Sequence, residues 1–196
     1  MRARGLVILL LALFLSGSAV ALLADPFLQP ADVGERFVDV ENYLFKIAQR
    51  NQWSLIIAKD VNSRLKEVQG KTVGDALKSY FTDTEFTWEL RENCLYVAEK
   101  RRLVKFLEKL PEDVAMLPRG KNDVTLSGIF NSVEISTLFK ILRNLTGVEV
   151  RSADGLRANM RLHLMKMPWK TLVVAIVRLN DFKMIRSEFS VIVASR

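Results

Sequence analysis

Cysteine and histidine are almost absent from this sequence, which contains one of each in 196 residues. Cys94 therefore has no second cysteine for a disulfide within the chain, and the fold must be held by its core. The same scarcity leaves too few soft ligands for a zinc or haem-iron site. No Asp/Asn/Gly loop with the spacing of a calcium site occurs either. We expect no metal and no other cofactor; the alternative is a hard-cation site built on carboxylates.

Catalytic motifs are missing as well. There is no Gly-rich phosphate loop, and the carboxylates are spread along the chain without a distinctive pair. His163 has no obvious Ser or Cys partner in a nucleophile turn. The sequence predicts that the protein is not an enzyme and takes no small-molecule substrate. We expect His163 to be solvated on the polar face of a strand, and Cys94 to be a small, half-buried side chain.

The first 24 residues have the pattern of a secretory signal. Arg2 and Arg4 precede an uninterrupted apolar run from Leu6 to Leu15, and the small residues of Ala19-Val20-Ala21 suit signal peptidase. Cleavage is expected after Ala21, with Ala24 as the other choice. This predicts a periplasmic protein that associates, on one interpretation, with the outer membrane. The alternative is an uncleaved anchor, because residues 6–24 are nearly long enough to cross a hydrocarbon layer of roughly 30 Å.

The charge is divided unevenly along the chain. Residues 25–118 contain 14 basic and 16 acidic side chains, a net charge of −2, whereas residues 119–196 contain 13 and 6, a net charge of +7. A basic face attracts nucleic acid, anionic lipid or an acidic protein surface, or is simply solvated. Export argues against nucleic acid unless DNA crosses the envelope.

A local sequence pattern occurs twice, about 95 residues apart. The letters LFKI at residues 44–47 recur at 138–141, an offset of 94. The offset becomes 96 at Phe86 and Phe182, and it is 96 again for the apolar segments 95–98 and 191–194. Such a repeat predicts one module of about seventy residues used twice. A duplicated module more often serves contact with other proteins than catalysis.

Each copy shows the same order of predicted elements: strand, helix, strand, strand, helix, hairpin. In the first copy, one helix face is formed by Val40, Leu44, Ile47 and Ala48, and a second by Ala76, Leu77, Tyr80 and Phe81. Residues 55–57 and the alternating segments 86–90 and 95–97 are expected to be strands, and residues 60–63 a turn. We predict an α+β fold of two tandem modules, each with two helices packed against short mixed β-sheets.

The second copy is clearer. Met160, Leu162 and Leu164 alternate with Arg161 and His163, which predicts a strand with one buried and one solvated face. Pro168 is expected at the start of the following helix, where a missing N–H costs nothing. Trp169 is expected to fill the core. Leu138 and Leu172 fall on the predicted buried faces of the two helices.

The predicted boundaries are 1–24 for the signal, 33–98 for the first module, 99–122 for a linker and 123–196 for the second module. Residues 99–110 have apolar positions at helical spacing and predict a short connecting helix. Pro111 and Pro118 are expected to bound a linker after it, which would allow relative motion of the modules.

The segment from Phe130 to Ala194 resembles the short N-terminal module of the secretin and TonB family, and it is most similar to the periplasmic modules of type IV pilus secretins. The resemblance rests on the alternating strand from Met160 that leads into Met167-Pro168-Trp169, and on residues 178–182 and 186–188. Asp181 stands where the family usually has Gly. Residues 37–40 and 60–63 give the first module a weaker resemblance, without the Pro-Trp pair.

This resemblance implies a non-catalytic module that contacts other envelope proteins. The strands of an outer-membrane pore are not seen before the sequence ends at Arg196, so we expect an accessory or split component of a secretin assembly of the type IV pilus or type II secretion kind. The alternative is a signalling adaptor of the TonB-dependent transducer type that contacts an inner-membrane regulator. The expected partners are a secretin ring, a pilus or secretion component, or further copies of this chain. The basic side chains expected to contact a partner are Arg151, Arg157, Arg161, Lys170, Lys183 and Arg186.

Overall fold

The computed structural model describes residues 25–31, 37–61, 65–67, 70–120 and 124–196. After a 3-10 turn at Pro26–Leu28, the elements of the first half are β1 (Phe37–Asp39), α1 (Val40–Asn51), β2 (Ser54–Ile57), β3 (Leu65–Glu67), α2 (Val73–Phe81), β4 (Phe86–Arg91) and β5 (Cys94–Glu99). The helix α3 (Lys100–Ala115) leads to the second half, whose elements are β6 (Thr125–Glu134), α4 (Ile135–Thr146), β7 (Glu149–Ser152), β8 (Asn159–Pro168), α5 (Trp169–Leu179), β9 (Lys183–Arg186) and β10 (Ser190–Ala194). The predicted α+β class is confirmed.

The strand pairing is the same in the two halves. In the first, β1 pairs antiparallel with β3, and the hairpin β4–β5 adds parallel to β2. In the second, β6 pairs antiparallel with β8, and the hairpin β9–β10 adds parallel to β7. The registers also correspond, since Trp88 lies opposite Val97 in one hairpin and Met184 lies opposite Val193 in the other. The repeated sequence therefore folds into a repeated order and pairing of elements.

A single five-stranded sheet crosses the boundary between the halves. Its order is β4-β5-β2-β8-β6, because β2 of the first half pairs antiparallel with β8 of the second. Leu55 lies opposite His163 and Ile56 lies opposite Leu162. The remaining strands of the second half form a separate three-stranded sheet, β7-β10-β9. Sequence reasoning placed a linker between the halves, but main-chain hydrogen bonds join them.

The helix α1 has the start and the face that its sequence predicts. Asp39 is the N-cap, and its Oδ1 accepts a hydrogen bond from the backbone N–H of Asn42 at 2.9 Å. Gln52 ends the helix in a left-handed conformation, with φ 56°. The predicted apolar positions of α1 are buried, and Phe45 is buried as well because it faces the second half.

The predicted core positions of the second half are also buried. Leu138 on α4 and Leu172 on α5 have no exposed surface. Trp169 is likewise buried, which confirms it as a core residue. Pro168 is the N-cap of α5, so the helix begins one residue later than the start we predicted.

The connecting helix is longer than predicted, because Pro111 lies inside α3 rather than after it. Proline has no N–H to donate to the carbonyl of Leu107 four residues earlier. Arg91 on β4 supplies the missing donor, since its Nη1 lies 3.1 Å from that oxygen. The helix therefore continues to Ala115. Of the two prolines expected to bound the linker, only Pro118 lies beyond the helix.

Some predictions lie wholly or partly outside the described residues. They are the signal at residues 1–24, the turn at residues 60–63, of which Asp60 and Val61 alone are described, the start of the first module at residue 33, and the boundary between linker and second module at residues 122–123. Within the described part of the chain, no helix combines the length and hydropathy needed to cross a membrane.

Candidate interaction surface

The junction between the halves contains two side chains that sequence reasoning placed in solvent. His163 is 5% exposed, so the expectation of a solvated histidine is wrong. Its ring centre lies 6.4 Å from that of Phe45 on α1. The helix α1 covers the face of β8 that would be exposed to solvent in an isolated module. The Nδ1 of His163 is buried and has no hydrogen-bond partner.

Arg161, on the same strand, is held by α1 rather than free for a partner. It donates from Nη1 to Glu41 Oε2 at 3.0 Å and from Nη2 to Asn42 Oδ1 at 2.7 Å. Its guanidinium also stacks 4.4 Å from the ring centre of Phe45. Arg161 therefore joins the two halves, and its expected role as a free contact residue is corrected.

A second junction connects α3 to α5. Arg178 donates from Nε and Nη2 to the two carboxylate oxygens of Asp113, at 2.8 and 2.7 Å. The Asp113 side chain is 2% exposed, and its hydrogen bonds raise the pKa of Arg178. Arg102 pairs with Asp60 and Glu99 and donates to the carbonyl of Leu179 at 2.8 Å. Charged side chains thus fix the connecting helix against both halves.

An open cleft of about 770 Å³ lies beside this second junction. Its wall includes the Arg102 cluster, together with Arg157, Asp181 and Arg196. Asp181 pairs with Arg196 at 2.9 Å, so charges of both signs are neutralised inside the cleft. Arg157, one of the predicted contact residues, is exposed there. The lining is mainly polar, and its carboxylates pair with Arg102 and Arg196.

The clearest candidate for recognition is the outer face of the sheet β7-β10-β9, which we call the open sheet face. Ile192 lies at its centre, with Arg151 beside it on β7 and Ile185 beside it on β9. Lys183 lies next to Ala194 on the same face. Ile185 is 47% exposed, and both Arg151 and Lys183 are exposed. The opposite face carries Val191 and Val193, which are buried in the core.

The structure divides the six predicted contact residues among four places. Arg151 and Lys183 lie on the open sheet face, and Arg186 is exposed at the end of β9. Arg157 lies in the cleft, and Arg161 lies in the first junction. Lys170 is half-buried, with its Nζ 5.7 Å from the ring centre of Trp169 and 3.4 Å from the carbonyl of Leu117. Three of the six therefore share one sheet.

Sequence reasoning missed the apolar part of this surface. Ile185 and Phe189 are exposed, the latter at 74% in the turn between β9 and β10. The consecutive apolar pair Met184-Ile185 was a usable signal, because adjacent residues of a strand point to opposite faces. One side chain of the pair therefore points away from the core.

Cys94 lies in the core, on strand β5. Burial raises the pKa of the Cys94 thiol to about 12, and a hydrogen bond with Tyr96 offsets part of that rise. Cys94 is fully buried rather than half-buried. Among the described residues, no three His, Cys, Asp or Glu side chains are grouped closely enough to hold a metal ion.

Comparison of the chain with models of protein families, with curated proteins and with solved structures finds no match.

Proposed function

We propose that this chain is a non-catalytic interaction component of a cell-envelope assembly, an accessory or split part of an outer-membrane secretin complex of the type IV pilus or type II secretion kind. The observation that carries the proposal is the open sheet face. It combines exposed basic side chains, Arg151 and Lys183, with exposed Ile185 on one face of a three-stranded sheet. Aromatic and aliphatic anchors surrounded by charged residues are typical of protein contact surfaces.

The fixed relation between the halves supports the same proposal. A chain whose repeated halves share a sheet presents its surfaces in one orientation, as a structural adaptor must. The polar cleft and the buried, unpartnered Nδ1 of His163 offer no arrangement for proton transfer to a substrate. The place of action follows from the signal pattern at residues 1–24, which supports export to the periplasm.

Location is tested first, by intact mass of the protein purified from the envelope. A mature N-terminus at Leu22 or Asp25 is the expected result. A full-length species that stays in the membrane through a carbonate wash contradicts cleavage and establishes an anchor.

The assembly is tested by cross-linking in living cells, followed by purification of the tagged mature protein. Recovery of a secretin is the expected result. Recovery of an inner-membrane anti-sigma regulator would replace the proposal with the signalling alternative. Recovery of copies of this chain alone would make it a self-assembling protein.

A matched pair of charge-reversal variants locates the contact. Arg151→Glu with Lys183→Glu changes the open sheet face, whereas Lys109→Glu with Lys140→Glu makes the same change of charge on exposed helix positions. The first pair should reduce secretin recovery, and the second should not. Equal recovery from both variants would mean that the basic residues of this face are only solvated surface.

A further inference from the structure

In the first half of the protein, the outer face of the strands β4, β5 and β2 is covered by a helix. The covering helix is α3, whose Leu103, Phe106 and Leu110 are buried. Tyr96 of β5 points to this helix, and its ring centre lies 5.0 Å from that of Phe106. As a result, all of β5 from Cys94 to Ala98 is buried on both of its faces.

The equivalent face in the second half has no such cover. Ser190, Ile192 and Ala194 of β10 follow Cys94, Tyr96 and Ala98 at the offset of 96. All three are partly exposed, and no helix of the described chain lies over them. Because β7-β10-β9 are paired in the same order and directions as β2-β5-β4, the open sheet face corresponds to the face on which α3 packs in the first half.

The dimensions and charges of the open sheet face match one helix. Three strands about 4.8 Å apart give a face close to the roughly 10–12 Å diameter of a helix. An apolar strip formed by Ile185 and Ile192 crosses it, and Arg151 and Lys183 flank that strip. Glu149 lies on the same face, opposite Ser190, and its charge is paired with Arg143 at 3.4 Å, whereas Glu188 lies in the turn. Basic side chains therefore predominate.

We propose that the open sheet face binds an amphipathic helix of a partner protein, with an apolar stripe against Ile185 and Ile192 and acidic side chains opposite Arg151 and Lys183. This inference rests on the proposed function and names the partner's chemistry. The helix occupies the place that α3 takes on the first sheet. Strand addition at the edge of β9 is disfavoured, because that strand is four residues long and has basic residues at both ends.

The test uses a defined peptide with the apolar stripe of α3 and acidic flanks. The probe carries residues 100–110 of this chain with Lys100, Arg101, Lys105 and Lys109 replaced by Glu, and a hydrocarbon staple holds it helical. Fluorescence anisotropy should show saturable binding to the mature protein. Binding should weaken with added salt, because exposed charges are screened over about 8–10 Å at physiological ionic strength.

Two isoleucine variants locate the binding site. Ile185→Asp should weaken peptide affinity about tenfold or more, the loss expected when a buried isoleucine contact is removed. Ile129→Asp is the matched control, because Ile129 is a strand residue with similar exposure, 52%, on the other sheet. It should leave affinity unchanged. Circular dichroism establishes that both variants are folded.

Several outcomes would overturn the inference. No binding of the peptide, or equal binding by the Ile185→Asp variant, removes helix docking at this face. If the protein floats with phosphatidylglycerol vesicles and Ile185→Asp abolishes this flotation, the face binds lipid. A dimer in light scattering that Ile185→Asp converts to a monomer assigns it to a second copy.

The envelope cross-linking experiment separates this inference from the proposed function. If Ile185→Asp still recovers a secretin and the peptide does not bind, the helix site is wrong and the proposed function stands. If the peptide binds through Ile185 but no secretin is recovered, the site stands and the proposed assembly is wrong.

Discussion

At the scale of single residues, the surroundings of the Arg161 side chain depend on how the two halves pack together. It was expected to be a solvated contact residue, and it bonds Glu41 and Asn42 of the other half. A charge at the same position of an isolated module would project into water. Its environment depends on contacts with residues about 120 positions away, and no local pattern reports them.

Arg161→Ala should lower the free energy of unfolding by about 1–2 kcal/mol, since a half-buried, charge-assisted hydrogen bond is lost but solvent screens part of it. Thermal melting measures the change, and Arg157→Ala, at an exposed arginine of the cleft, is the control. A melting temperature unchanged by Arg161→Ala contradicts the assignment. Charge reversal of Arg157, Arg161 and Lys183 together should also destabilise the fold, because the contacts of Arg161 with Glu41 and Asn42 are lost.

Cys94 gives a prediction about pH. Burial raises its pKa from 9.0 to about 12, so the folded state holds the thiol proton more tightly than the unfolded state. Below pH 9.0 the thiol is protonated in both states, so this group gives stability no pH dependence. Between pH 9.0 and about 12 it lowers the free energy of unfolding as the pH rises, because the unfolded state loses the proton first. At pH 8, a thiol reagent should react slowly with the native protein and rapidly in denaturant. Rapid reaction of the native protein would contradict the burial.

At the scale of elements, the repeated helices follow their sequence closely. Leu138→Ala on α4 or Leu172→Ala on α5 should each cost about 2–5 kcal/mol of unfolding free energy, because a fully buried leucine is replaced by a cavity. Denaturant unfolding measures the loss. Leu145→Ala is the control on α4, since that leucine is 45% exposed, and it should change stability little. Equal effects of Leu138→Ala and Leu145→Ala would mean that the helix faces are misassigned.

The helix α3 departs from its sequence pattern for a reason that is not local. Proline normally ends a helix, which led to the expected stop at Pro111. The stop does not occur, since Arg91 of β4 donates to the carbonyl that Pro111 leaves without a helical donor. Asp113, beyond the proline, then reaches Arg178 and joins the helix to α5. A residue on one strand thereby lets the connecting helix tie the two halves together.

At the scale of the whole molecule, the halves should unfold together. The pairing of β2 with β8 and the Asp113–Arg178 pair connect them through backbone and side chains. Hydrogen–deuterium exchange across a denaturant series, followed by peptide, should show both halves losing protection at one denaturant concentration. Loss of protection in residues 124–196 while residues 37–98 stay protected would establish independent domains.

The sequence by itself determined the order of elements, the helix faces and the repeat, because spacings of two and of three to four residues report which side of a strand or helix is apolar. It also contained Pro168 and Trp169 at the start of α5. These features depend on neighbours a few residues apart. They are present in each half without reference to the other.

Only the tertiary structure decided how the halves meet and which basic residues remain free. The backbone edge of β2 carries no side-chain signal for its partner, so its pairing with β8 was not evident from the sequence. That pairing placed α1 over His163 and Arg161. In addition, α3 packs on the hairpin β4–β5, and no described helix packs on the outer face of β9–β10. Two copies of one pattern thus acquired different surroundings, because burial depends on residues distant in the chain.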